Sequence, residues 1–106
     1  MPTAKEFVYK LPQAFRSDVA GSTHATVQYD LSEPMYSVIE GGEMQVFEGR
    51  AENPDVTVAM SDEDFVLLMK GELNGMAAFM SGRLKVQGDM MLAQRLVSFV
   101  DADKLA

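Results

Sequence analysis

The chain has 106 residues, with sixteen acidic against nine basic side chains, a net charge of −7 and no cysteine. That length suits one domain with its own core, and the missing cysteine excludes disulfides, thiolate metal sites and a cysteine nucleophile. A net negative chain lacks the cationic footprint of a nucleic-acid binder, and contact with an anionic bilayer is expected to be transient at most.

Apolar runs reach five residues, at 65–69 and 76–80, whereas a membrane-spanning helix needs about 20. No charged-then-apolar leader opens the sequence, so Met1 reads as the true start. Ala106 follows Leu105 and spoils what would otherwise approach a peroxisomal address. A cytoplasmic location is the expectation.

From the N-terminus, Phe7, Val8, Leu11 and Phe15 recur at helical spacing and predict an amphipathic helix over Ala4 to Arg16. Thr3 with Glu6 three residues on is its capping pattern. Pro12 should kink or split it near Leu11. Ser17 to Thr23 reads as a loop. His24 to Leu31 alternates, with Ala25, Val27, Tyr29 and Leu31 on the apolar face and His24, Thr26, Gln28 and Asp30 opposite. Tyr36 to Glu40 and Met44 to Gly49 are two further strands, joined by the hairpin dipeptide Gly41-Gly42. The break from Gly49 to Asp55 is long enough for a crossover into a fourth strand carrying Val56, Val58 and Met60. Ser61 caps the next helix, whose first turn holds Asp62, Glu63 and Asp64, where a helix dipole favours negative charge. Phe65, Leu68 and Met69 form its apolar face, and Gly71 ends it.

The stretch Met76 to Val97 then packs a helix, a strand and a helix into few residues. Met76 to Met80 is a short helix ended by Gly82. Arg83 to Gln87 alternates as a fifth strand with Leu84 and Val86 facing one way. Asp89 caps a last helix expected to run from Met90 to Val100 through Leu92, Ala93, Leu96, Val97 and Phe99. Gly88 gives that junction a permissive backbone, so the last helix is expected to gate whatever lies beneath it. Six of the nine methionines, Met60, Met69, Met76, Met80, Met90 and Met91, fall between residues 60 and 91. Methionine is unbranched and polarisable, which suits a deformable wall.

Recognisable chemistry is absent from the pattern. His24, the single histidine, lies on a polar strand face without an orienting partner. No nucleophile elbow, phosphate-cradling loop or metal-ligand spacing occurs. Capping accounts for the acidic triplet, so neither a metal nor a cofactor is expected.

The run from Asn53 to Leu96 resembles the sterol-carrier-protein lipid-binding domain family (SCP2 type). The matching residues are Asp55, Thr57, Met60, Gly71, Leu73, Ala78, Phe79, Gly82, Arg83, Leu84, Lys85, Val86, Gly88, Asp89, Leu92 and Ala93. Only the size and order of elements match in the N-terminal half. The resemblance implies an α+β single domain over residues 1–106: a five-stranded, mostly antiparallel sheet with one face covered by helices enclosing an apolar cavity. It implies a non-catalytic lipid-binding or transfer protein for a fatty acid, acyl-CoA, sterol-like or isoprenoid ligand. The apolar wall is expected from Phe65, Leu68, Met69, Met76, Phe79, Met80, Leu84, Met91, Leu92 and Leu96. Candidate polar contacts are Ser81, Gln94 and Arg83; Ser81 stands where many members carry a longer glutamine. The partner is then a hydrophobic small molecule, with a protein partner in a lipid or quinone pathway as a further expectation. Some bacterial members resemble accessory factors that present quinone intermediates to biosynthetic enzymes. Two other classes compete: a small α+β cone-type enzyme, which needs an acid and a base in its pocket, and a pure interaction module.

Overall fold

A computed structural model describes residues 3–105, so the readings of Met1 as start and Ala106 as terminus lie outside it. Strands β1 (Ala25–Asp30), β2 (Met35–Glu40), β3 (Glu43–Glu48), β4 (Val56–Ala59) and β5 (Lys85–Gly88) form one sheet in the order β3-β2-β1-β4-β5. Three neighbouring pairs are antiparallel, and β1 with β4 is parallel. The expected mostly antiparallel α+β architecture is present, with the crossover where the break after Gly49 placed it. Gly41 and Gly42 turn the β2–β3 hairpin with φ of 61° and 78°, the paired positive values that such two-residue loops require.

Helix α1 (Ala4–Ala14) starts where Thr3 accepts a hydrogen bond from the Glu6 amide at 3.2 Å. Pro12 does not split it into two helices. It lies in the last turn, where its ring forfeits one backbone bond shortly before the helix would end. Phe7, Val8, Leu11 and Ala14 are buried. This face packs beside β3 and shares one core cluster with Val27, Met35, Ile39 and Met44. On its outer side Lys5 reaches Glu48 at 2.8 Å, and the Tyr9 hydroxyl donates to the same carboxylate. Ser17–Ala20, expected as loop, is a short helix α2. The Arg16 carbonyl takes the Val19 and Ala20 amides, which suffices for one turn.

Gln28 shares parity with the strand's polar residues yet is buried. The crossover runs over that face, and the Gln28 amide holds it: Nε2 donates to the Met35 and Gly49 carbonyls at 3.1 and 3.2 Å, and Oε1 accepts from the Ala51 amide at 2.8 Å. The outer side of the sheet is therefore partly covered as well.

Helices α3 (Asp62–Met69), α4 (Gly75–Met80) and α5 (Met90–Arg95) are capped by Ser61, Asn74 and Asp89, each accepting from the amide three residues on. The single last helix expected through Val100 stops at Arg95. Leu96–Phe99 tightens into a 3₁₀ turn, and Val100 bridges to Phe15. The cause is competition for backbone groups: Arg16 donates to the Phe99 carbonyl at 2.6 Å, and Asp101 donates to the Ala14 carbonyl at 2.9 Å. These bonds tie the end of the chain to α1, so only the α5 portion remains as a short cover near the cavity.

Candidate functional site

The two halves of the sheet are filled differently. Beneath β1–β3, α1 packs a solid core. Beneath β4 and β5, the helices stand off the sheet and leave a cavity of about 490 Å³, within the ~300–1,000 Å³ usual for small-molecule sites. Its floor is Tyr29, Val58 and Val86 from the sheet with Met60 and Leu84 just beyond the ends of β4 and β5, and its deep wall is Phe65, Leu68 and Met69 of α3. The mouth lies between α4 and α5, because Met76, Phe79, Met90 and Val97 line the cavity and are also exposed.

Of the residues expected on the wall, Phe65, Leu68, Met69, Met76, Phe79, Leu84 and Leu96 are brought together there, as is Gln94. The others lie outside the lining. Met80 and Met91 are highly exposed and do not line the cavity. Leu92 is buried in the core and does not line the cavity. Ser81 spends its hydroxyl on the Ala78 carbonyl at 3.1 Å. Arg83 is committed to Asp64, with Nη2 to Oδ1 at 2.6 Å.

Sequence reasoning did not single out Tyr29, Val58, Val86, Leu73, Asn74, Ala93 or Val97 as cavity residues. Strand parity already put Tyr29, Val58 and Val86 on the inner face, which was the available signal. What was lacking was any sign of which half of the sheet is hollow.

The wall is nearly free of charge and chemistry. Among the described lining residues Tyr29 is the sole titratable group. Its hydroxyl is 2.9 Å from Ser37 Oγ, its ring meets Phe65 edge-on at 5.7 Å, and burial pushes its pKa up to about 12. Asn74 and Gln94 supply neutral carboxamides, and Asn74 already uses its oxygen to cap α4 at 3.0 Å. Such an arrangement can hold an apolar body and meet a polar end at the mouth. No described group of His, Cys, Asp and Glu could hold a metal ion, and no described helix is long and apolar enough to cross a membrane.

A mixed five-stranded sheet with helices around an apolar chamber under one half defines a small α+β fold built to enclose a cavity. The chain belongs to the SCP-2 sterol transfer family, whose model matches residues 8–101. Human sterol carrier protein 2 is 33% identical over 95 residues, covering 87% of this chain and 16% of that protein. The solution NMR structure of palmitated SCP2L2 from Aedes aegypti matches with a TM-score of 0.71 at 19% identity, covering 92% of this chain and 93% of that one. A UbiJ-SCP2 ubiquinone synthesis protein matches at 0.64 and 23% identity, covering 96% and 84%. At these identities the two structures establish the fold. The chain spans between 8% and 16% of the length of three curated relatives.

Proposed function

We propose that this protein is a non-catalytic carrier that holds one single-chain acyl lipid in the cavity beneath β4 and β5. The observation that carries the reading is the wall itself: about 490 Å³ bounded mostly by Leu, Val, Met and Phe side chains, with neutral amides at the mouth. An empty apolar void of this size is costly, and an acyl chain would restore the lost contacts. The flexible Met69, Met76 and Met90 can follow chains of different length. The ligand in palmitated SCP2L2 supports the same choice.

The cone-type enzyme reading needs an acid and a base facing the ligand. The protonated Tyr29, bonded to Ser37, is poorly suited to either role, which supports a carrier. The quinone reading uses the same apolar room and draws on the likeness to the UbiJ-SCP2 protein.

The test is displacement of a fluorescent fatty-acid analogue, with native mass spectrometry of the protein as purified. A micromolar dissociation constant, about −8 kcal/mol, is expected for acyl chains. Tighter binding of an isoprenoid quinone than of any acyl chain would move the assignment to the second reading. Absence of saturable binding across chain lengths, sterols and quinones would overturn the carrier reading.

A further inference from the structure

The methionines of this molecule divide in two independent ways. By exposure, Met35, Met44 and Met69 are buried and Met60 is half-buried, whereas Met76, Met80, Met90 and Met91 are 57%, 78%, 40% and 69% exposed. By position, Met60, Met69, Met76 and Met90 line the cavity, and Met35, Met44, Met80 and Met91 do not. Among the described methionines, only Met76 and Met90 are both exposed and part of the wall. They stand on α4 and α5, the helices on either side of the mouth.

A thioether there has a chemistry that the Leu, Val and Phe side chains of the wall lack. A peroxide converts it to a sulfoxide, which is polar and can be reduced back. A sulfur lone pair attacks one peroxide oxygen, and the S–O bond forms as the O–O bond breaks. The departing hydroxide takes the proton of the transferred oxygen and leaves as water. The sulfur is oxidised and the peroxide reduced.

We propose that Met76 and Met90 form an oxidation site coupled to cargo. Hydrogen peroxide turns both into sulfoxides when the cavity is empty, a bound chain shields them, and the sulfoxides weaken the hold on an apolar chain. Shielding follows from position: a chain that fills the cavity lies against its wall and leaves Met80 and Met91 uncovered. Weakening follows from polarity, because an S–O dipole pressed against an acyl chain is desolvated without a partner. Met69 is buried and stays reduced, so the deep wall persists and reduction at the mouth restores the site. The coupling rests on the carrier reading.

The experiment treats the whole chain with dilute hydrogen peroxide, once stripped of lipid and once loaded with palmitate. Peptide mass spectrometry follows each methionine with time. Without palmitate, Met76, Met80, Met90 and Met91 should oxidise well ahead of Met35, Met44 and Met69. Palmitate should slow Met76 and Met90 severalfold and leave Met80 and Met91 unchanged. Displacement of the fluorescent fatty acid should then show affinity reduced about fivefold or more in the oxidised wild type. Its thermal midpoint should show that the fold is kept. Methionine sulfoxide reductases for both epimers should restore the affinity.

Met76→Leu with Met90→Leu conserves volume and apolarity, and the affinity of this variant should not change on treatment with peroxide. Met80→Leu with Met91→Leu should lose affinity on treatment as the wild type does. Equal protection of all four exposed methionines by palmitate, or of none, would overturn the proposal. So would unchanged affinity of the oxidised wild type, or an equal loss in the Met76/Met90 variant. Failure of the untreated wild type to bind the fluorescent fatty acid would overturn the carrier reading and the coupling with it. Intact binding with Met76 and Met90 unshielded would overturn the coupling alone.

Discussion

Arg83 and Asp64 meet through two hydrogen bonds, Nη2 to Oδ1 at 2.6 Å and Nε to Oδ2 at 3.2 Å, and so fasten the turn after α4 to the first turn of α3. The guanidinium holds the Asp64 carboxyl below its ordinary value of 3.8. The Lys5 ammonium and the Tyr9 hydroxyl do the same for Glu48, whose ordinary value is 4.5. Both groups favour the folded state when ionised. Their contribution is therefore complete above the ordinary values and fades as pH falls through the lower folded ones. Stability should decline with acid below about pH 5, and an Asp64→Asn, Glu48→Gln variant should start less stable yet decline less. Thermal midpoints across pH check this; parallel curves for the two proteins would count against it.

The same pairing withdraws Arg83 from ligand recognition. Arg83→Gln should leave fatty-acid affinity within about twofold, roughly 0.4 kcal/mol, even as it lowers the thermal midpoint. A large loss of affinity in a folded variant would show that the guanidinium reaches the ligand despite its partner.

Tyr29 and Ser37 form the polar contact at the edge of the cavity floor, and Ser37 is fully buried. Tyr29→Phe should cost about 1–3 kcal/mol, because it leaves the Ser37 hydroxyl without its partner. Adding Ser37→Ala should recover part of that loss. The folded pKa of Tyr29 is about 12 against an ordinary 10.0, so the unfolded chain ionises first. Wild-type stability should fall as pH rises from 10 toward 12, and Tyr29→Phe should remove this part of the alkaline decline. Denaturant midpoints at neutral and alkaline pH decide it.

Much of this architecture was legible because local rules and tertiary packing agree. Thr3, Ser61 and Asp89 cap where the sequence put them, and Gly41-Gly42 makes its hairpin. The places where reading failed are those where a distant segment decides. Gln28 looked solvent-facing until the crossover folded over it. The last helix looked continuous until Arg16 and Asp101 claimed backbone partners. Within the site, helical periodicity separated apolar from polar faces but could not divide one apolar face between core and cavity. Leu92 therefore looked the same as Leu96, and exposed Met80 and Met91 the same as Met76.

Gly88 offers a steric test of how β5 is seated. Its φ is 101°, and a Cβ there would stand 2.5 Å from the Asp55 carbonyl oxygen and 3.1 Å from the Val56 Cα. Both neighbours are backbone, so neither can swing aside. The Asp89 amide also donates to the Asp55 carbonyl at 2.9 Å. Gly88→Ala should cost about 1–3 kcal/mol from backbone strain alone, and more from the clash. Loosening of β5 should weaken ligand retention along with stability, read by denaturant titration and by fatty-acid displacement on the same sample.

Leu92 and Leu96 sit one helical turn apart, both buried, yet only Leu96 lines the cavity. Leu92→Ala removes side-chain atoms that are packed in the core, so it should cost roughly 2–5 kcal/mol and leave chain-length preference unchanged. Leu96 faces a void on one side and has fewer neighbours to lose. Leu96→Ala should cost less than Leu92→Ala while enlarging the cavity, which shifts preference toward longer or bulkier chains. Denaturation together with titration of a chain-length series on both variants separates the two effects. Equal stability losses with identical ligand preferences would mean that Leu96 is ordinary core and that the cavity ends before the turn after α5.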